Sequence, residues 1–255
     1  AELEDMATYA TRYYPELSKG DIRFVLVEAT DRILPEVGED LGRYTVEQLR
    51  QRRIDVRLGT RLESCVDGHI VLSDGEEFDA ETVVWTAGVK ANPMLAATGL
   101  PVDEKGRLKC YADLRVEDTA DAWSAGDCAA VPDLTGPPGA LCSPSAQHAV
   151  RQAKQLGDNI AVVLRGRTPS SYAHKHVGSV ASLGMYKGVA QVYGIKLRGF
   201  PAWFMHRTYH VSRVPTLNRK IRVVADWTLA LFFRRDVVSL GSLQRPREEF
   251  SEATR

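Results

Sequence analysis

An apolar run that stops at a glycine and is followed at once by a carboxylate sets the tightest limit on this chain. Ala122-Trp123-Ser124-Ala125 reads as a short buried strand, Gly126 ends it, and Asp127 comes next. Glycine lets backbone approach a ligand closely. In open α/β sheets, ligands gather at the carboxyl ends of strands, so Asp127 is placed to accept a hydrogen bond from a ligand hydroxyl. Further along, Ser143-Pro144-Ser145-Ala146-Gln147 opens a long helix, with Ser143 read as its N-cap and Pro144 in its first turn. A helix start offers N–H groups and the positive end of the dipole to an anion. Together the two features predict an α/β fold whose ligand carries both hydroxyls and a centre of negative charge.

The chain before this point alternates strands and helices. Asp21 to Glu28 is a strand ending in an acid. In a dinucleotide-binding fold such an acid accepts the ribose hydroxyls and repels a 2′-phosphate; a solvated strand end has the same appearance. Arg32 is near enough in sequence to take a 2′-phosphate instead. A helix follows over Glu39 to Arg53, with Leu41, Tyr44 and Leu49 toward the sheet and Gln48, Arg50 and Gln51 toward solvent. Ile54 to Leu58 is the next strand. Residues 61–78 form an antiparallel insert turned at Asp67-Gly68 and Asp74-Gly75. Thr82-Val83-Val84-Trp85 then reads as a buried parallel strand closed by Thr86-Ala87-Gly88, where Gly88 is either a plain turn or a ligand contact.

Asn92-Pro93 caps a short helix ending at Gly99, strands run through residues 108–116, and Gly136-Pro137-Pro138-Gly139 is a stiff surface loop. One amphipathic helix covers Gln147 to Leu164. Within it Gln152 is either a ligand neighbour or a packing residue with its amide satisfied, and Arg151 and Gln155 face water. The character changes after Thr168-Pro169. Two antiparallel strands (177–184 and 188–193) precede a helix at Phe200 to His210 and another at Arg219 to Arg235. The second carries Ile221, Val224, Ala225, Thr228, Leu231 and Phe232 on one face. Its apolar stretch is too short to cross a ~30 Å hydrocarbon core and, with flanking cations, suits an anionic membrane surface. Asp226 within it favours the other reading, a hairpin packed on its own domain or on the partner of a homodimer. Residues 244–255 are polar and read as frayed.

Composition removes several classes. Lys and Arg number 33 and Asp and Glu 33, so no global charge draws nucleic acid. The four cysteines (Cys65, Cys110, Cys128, Cys142) form no close pair. That argues against zinc and a dithiol centre and fits a reducing compartment. The sequence shows no signal peptide and no spanning apolar run. The first residues already keep helical spacing and lack an initiator Met, so the chain reads as the later part of a longer enzyme.

A hydroxyl-binding Asp beside a helix start suits a flavin, whose ribityl chain meets the carboxylate and whose pyrimidine edge gathers charge on reduction. Ala125-Gly126-Asp127, Ala146-Gln147-His148-Ala149 and Val84-Trp85-Thr86-Ala87-Gly88 together resemble the two-dinucleotide-domain flavoproteins, and most closely the type II NADH:quinone oxidoreductases. The resemblance runs over essentially all 255 residues but covers only the later part of such an enzyme, since no glycine-rich phosphate turn (G-x-G-x-x-G) is present. It implies FAD and NAD as cofactors, a quinone as acceptor, and a peripheral position on the cytoplasmic face of the cell membrane. It implies that Gly126 and Asp127 anchor the ribityl chain, that Ala146 and Gln147 border flavin and quinone, and that Glu28, Ala87 and Gly88 hold NADH, with Gln147 the catalytic residue. Residues 1–88 would then be the remainder of an NADH-binding domain, 89–167 the returning segment of an FAD-binding domain, and 168–255 a C-terminal domain with membrane-interface helices. Many such enzymes carry a Lys just before the glycine matching Gly178; here Val177 stands there, after His174, Lys175 and His176.

Two alternatives stay open. A sulfide:quinone oxidoreductase would need cysteines poised on the flavin, and Cys128 and Cys142 lie in that region. A non-catalytic chain would dock to a membrane or partner without retaining flavin.

Overall fold

The structure is a computed structural model that describes residues 1–14, 16–86, 88, 90–175 and 177–233. Ala87, His176, the residues from 234 onward and the side chain of Leu231 lie outside that set. The chain separates into two compact units, residues 1–83 with 178 onward, and residues 84–177.

In the first unit, helix α1 (Glu2–Ala10) precedes strand β1 (Phe24–Glu28), which pairs in parallel with β2 (Ile54–Leu58) from Phe24↔Ile54 to Glu28↔Leu58. Helix α2 (Glu39–Gln51) makes the crossover between them. Glu39 and Asp40 in its first turn complement the dipole. Leu41 and Leu49 are buried as their spacing requires, and Tyr44 packs beside Leu41. Gln48, expected in water, is only 8% exposed. It sits one position from Leu49 and seven from Leu41, on the face that packs inward, and the helical period outweighs its polarity; its amide is satisfied by Gln51 at 3.2 Å. The insert forms β3 (Leu62–Ser64), β4 (His69–Leu72) and β5 (Glu77–Asp79), turned at Asp67-Gly68 and Asp74-Gly75 as read, with Asp67, Gly68 and Gly75 at positive φ.

The C-terminal antiparallel sheet belongs to this same unit. Its strands β8 (Gly178–Ser182), β9 (Gly188–Val192) and β10 (Ile195–Arg198) lie in the order β10-β9-β8. Helix α2 is buried on two sides: Val46 and Leu49 meet Ile54 and Val56, whereas Leu41 meets Leu183 and Val189. Polar ties reinforce the second side. Asp40 accepts from Lys196 at 2.6 Å and Arg198 at 2.9 Å, the Gly38 amide donates to Gln191 Oε1 at 2.7 Å, and the Met185 amide donates to Asp5 at 2.8 Å. Helix α5 (Phe200–Arg213) lies across this sheet, so close that a Cβ on Gly188 would stand 2.8 Å from the Trp203 nitrogen. Helix α6 (Leu217–Phe232) follows, tied to α5 by the Arg207 guanidinium, which lies 4.7 Å from the Trp203 ring and 4.2 Å from the Trp227 ring. Among the described residues, no helix is long and apolar enough to cross a membrane.

The second unit holds α3 (Met94–Ala97), β6 (Leu108–Lys109) parallel to β7 (Ala129–Ala130), and α4 (Ala146–Val163). Its core is Leu108, Cys110, Leu114, Val116, Ala129, Val131, Cys142 and Tyr172. Residues 168–177 belong to this unit rather than to the C-terminal sheet. Asn159, buried in α4, donates to the carbonyls of Asp113 and Ser170, both at 2.8 Å, and the Tyr172 amide donates to Ala112 O at 2.7 Å.

Several expected elements differ: of residues 108–116 only Leu108–Lys109 forms a strand, with a single bridge from Cys110 to Val116. Thr82 to Trp85 is not a strand: these residues are exposed, Trp85 by 66%. A strand's backbone groups need a partner edge, and among the described residues the β1–β2 pair has no third strand. Ala122 to Ala125 is likewise no strand, only a single antiparallel bridge from Trp123 to Arg115 before a 3₁₀ turn at Gly126–Cys128. Helix α4 is capped by Ser145, whose hydroxyl accepts the His148 amide at 3.3 Å, rather than by Ser143.

Candidate cofactor site

Gly126, Asp127 and Cys128 make one 3₁₀ turn between the Trp123 bridge and β7. Gly126 has φ +73°, a backbone state costly for residues with a Cβ, and an added Cβ would lie 3.3 Å from the Ala149 Cβ in α4. Beside the Ala129 amide's bond to Gly126 O and a Ser124 hydroxyl–Cys128 thiol contact at 3.4 Å, two bonds hold the turn. The Gly126 amide donates to Gln152 Oε1 at 2.8 Å, and the Cys128 thiol donates to Ala125 O at 3.2 Å. Gln152 is 1% exposed, so its end of this part-buried bond is enclosed and satisfied, and Gln152 packs the turn onto α4. Asp127, fixed by neither bond, is exposed to solvent.

The α4 start lies beside this turn. Ala146 is exposed and Gln147 half-buried, with the Gln147 carbonyl accepting from Arg151 at 2.8 Å. Asp127, Cys128 and Pro144 share a cavity of about 190 Å³ with Lys90, Ala91, Asn92, Lys105 and Arg107. Arg107 is buried and held by Asp103 at 2.9 and 2.7 Å. Burial alone would push the Asp103 carboxyl up, but the Arg107 amide and guanidinium and the Lys105 amide bring it below its ordinary value. Lys90 and Lys105 are exposed at the rim. A carboxylate, an amide, cations and a helix start form a donor set that fits a polyhydroxylated, anionic group such as the ribityl and phosphate part of a flavin cofactor.

Sequence reasoning brought Asp127 and the α4 start together but missed Lys90, Asn92, Lys105 and Arg107. Asn92 reads in sequence as a cap, and its side chain does accept the Met94 amide at 2.9 Å. The other three lie in loops with no periodic pattern; the Asp103-x-x-x-Arg107 pair was the one local signal.

The remaining expected positions are placed as follows. Glu28 ends β1, half-buried, its Oε1 accepting from the Thr30 amide at 2.9 Å and hydroxyl at 2.8 Å. The Arg32 guanidinium is turned to the carbonyls of Leu34, Pro35 and Val37, the last at 2.5 Å. Gly88 is exposed at φ +67°, and a Cβ there would meet nothing within 4 Å. Ala87 lies outside the described residues. Gln155, expected in water, bonds instead to Ser170 and Asn159. Burial pushes the thiol of Cys142 up and that of Cys110 to about 12. Among the described residues no group of three or more His, Cys, Asp or Glu could hold a metal ion.

Comparison with known proteins converges on one family. The model of the pyridine nucleotide-disulphide oxidoreductase family matches residues 5–154. A probable NADH dehydrogenase of Dictyostelium discoideum is 28% identical, over 90% of this chain and 50% of its own length. A type II NADH:quinone oxidoreductase of Staphylococcus epidermidis is 31% identical, over 82% of this chain and 51% of its own. The chain thus spans about half the length of these relatives. Among solved structures, NDH2 of Plasmodium falciparum in complex with NADH shares the fold at a TM-score of 0.79 and 13% identity, covering 91% of this chain and 62% of that one. The chain belongs to the pyridine nucleotide-disulphide oxidoreductase family.

Proposed function

We propose that this chain forms part of a non-proton-pumping NADH:quinone oxidoreductase, in which NADH gives a hydride to FAD and a membrane quinone takes the electrons. The observation that carries this is the Gly126–Cys128 turn, pinned to α4 by Gln152, with Asp127 opening on a cavity rimmed by Lys90, Lys105 and Arg107. FAD, when bound, supplies the two-electron chemistry. The protein's part is positioning and electrostatics. Asp127 accepts the ribityl hydroxyls, and the cations of the cavity rim balance the phosphates. The first turn of α4, at Ala146 and Gln147, would stabilise negative charge on a flavin bound there, since a preorganised dipole needs no reorganisation. Gln147 borders the quinone. Glu28, Ala87 and Gly88 hold NADH, and the Glu28 carboxylate disfavours a 2′-phosphate.

The membrane side of the proposal rests on α6. Leu217, Ile221, Leu229 and Phe232 on this helix are exposed, Phe232 by 79%, and α6 buries none of its described residues. Sixteen residues reach about 24 Å, short of the ~30 Å core. With Arg219, Lys220 and Arg222 beside these apolar groups, α6 lies in the anionic cytoplasmic interface.

The buried, weakly acidic Cys142 and the Cys128 thiol bonded to Ala125 O favour this reading over sulfide oxidation, which needs accessible thiolates. The test is anaerobic spectroscopy of the purified enzyme that contains this chain. A flavin band near about 450 nm should bleach with NADH and return on adding quinone. A colourless protein would instead support a docking role, and a band bleached by sulfide but not NADH would support the sulfide reading.

A further inference from the structure

We propose that His148, Tyr172 and His174 form a proton path ending at the start of α4 and supplying the proton that quinone reduction requires beyond the hydride. This rests on the function proposed above. NADH releases two electrons and one proton as a hydride, whereas a quinone becomes a quinol by gaining two electrons and two protons. The second proton must come from water through the protein.

The second unit holds a chain of titratable groups at the right place. His148 is the third residue of α4, 5% exposed, and adjoins Gln147. Its Nδ1 lies 3.0 Å from the Tyr172 hydroxyl, itself buried. The His174 ring meets His148 edge-on with centroids 5.7 Å apart, and His174 is half-buried beside the exposed Lys175. The series therefore runs from His174, whose Nε2 is enclosed and whose neighbour Lys175 is exposed, to the first turn of α4. The Asp133 carboxylate also acts on His148, and Cys142 and Arg151 act on the Tyr172 hydroxyl. An imidazole gains and loses a proton near neutral pH, and a hydroxyl both donates and accepts. Two leucines would fill the same space without the cost of burying polar groups, so packing alone gives no reason for an imidazole and a phenol.

The test uses His148→Asn, which keeps a donor toward Tyr172 but cannot titrate, and Tyr172→Phe, which keeps the packing. In the complete enzyme, NADH oxidation is measured with quinone and with ferricyanide, which takes electrons without a proton. The ratio of quinone to ferricyanide rate should fall about 10- to 100-fold in His148→Asn. The loss should be larger at pH 8 than at pH 6, where bulk protons are more abundant, and added imidazole should restore part of it. In the 255-residue chain itself, the NMR titration of the His148 ring should shift in Tyr172→Phe. Equal loss with both acceptors, no imidazole rescue and an unmoved titration would overturn the path. If the wild-type enzyme reduces neither acceptor, the proposed function fails, while the titration still reports whether the residues are coupled.

Discussion

Replacing Gln152 with Met isolates the bond that fixes the Asp127 turn. Methionine matches glutamine in length and fills the space, but it leaves the Gly126 N–H, now 2.8 Å from Gln152 Oε1, with no strong acceptor. An unsatisfied buried donor costs about 1–3 kcal/mol. The bond braces a turn in which Gly126 sits at φ +73° and the other supports are the Ala129 amide to Gly126 O and hydrogen bonds of the Cys128 thiol. Taking about 2 kcal/mol, the equilibrium for local opening moves about 30-fold. Hydrogen exchange of the Gly126 amide should therefore quicken by about that factor, while amides in β1 and β2 of the other unit keep their rates. In the complete enzyme, FAD affinity should weaken only as far as the closed, binding-competent fraction of the turn falls, and so by much less than exchange quickens while the closed turn predominates. Lys154→Met, at an exposed position of the same helix, should change both quantities little. Wild-type exchange at Gly126 in Gln152→Met would show that the turn's other hydrogen bonds and its covalent geometry hold it and that the Gln152 bond is incidental.

Three further outcomes follow from the geometry. Glu28→Gln keeps an acceptor for the Thr30 amide and hydroxyl but removes the charge, so the ratio of kcat/KM for NADH over NADPH should fall about tenfold; an unchanged ratio places the discrimination elsewhere. Replacing Arg219, Lys220 and Arg222 together with Gln should cut binding to anionic vesicles about 100-fold, from about 1 kcal/mol per charge, and leave neutral vesicles unaffected; equal binding to both would refute the interfacial role of α6. Asp103→Asn should destabilise the chain by about 1–3 kcal/mol at neutral pH. Because the folded Asp103 carboxyl titrates below its unfolded value, its contribution is present above about pH 4 and is lost as pH falls through the lower, folded value. Wild type and variant should then converge in acid, as read by denaturant unfolding at several pH values.

Much of the fold is legible because local rules and tertiary packing agree. The 3.6-residue spacing of α2 exposes its buried face, and Asp67-Gly68 and Asp74-Gly75 mark turns that need positive φ. The strand Ile54–Leu58 has the expected bounds. Where the reading failed, an element depended on something distant. Val83, Val84 and Trp85 have strand-forming side chains, but no neighbouring edge pairs with them. Ser143 and Ser145 are equivalent as caps on paper, and only the reach of the Ser145 hydroxyl to the His148 amide separates them. Strand β10 went unread although Tyr193-Gly194, both at positive φ, is a hairpin signal. The bond from Asn159 in mid-helix to Ser170 is a pairing that no spacing rule shows. In the site, Gly126-Asp127 and the α4 start were visible as motifs. The cations at Lys90, Lys105 and Arg107 converge only through the loop path.

The central claim is that Asp127 holds the cofactor's hydroxyls, and FAD affinity of the complete enzyme in Asp127→Ala tests it most directly. Losing charge-assisted hydrogen bonds worth about 1.5–3 kcal/mol should weaken binding about 10- to 100-fold, with hydrogen exchange at Gly126 unchanged because the turn itself survives. FAD binding as tight as in the wild type would contradict the account.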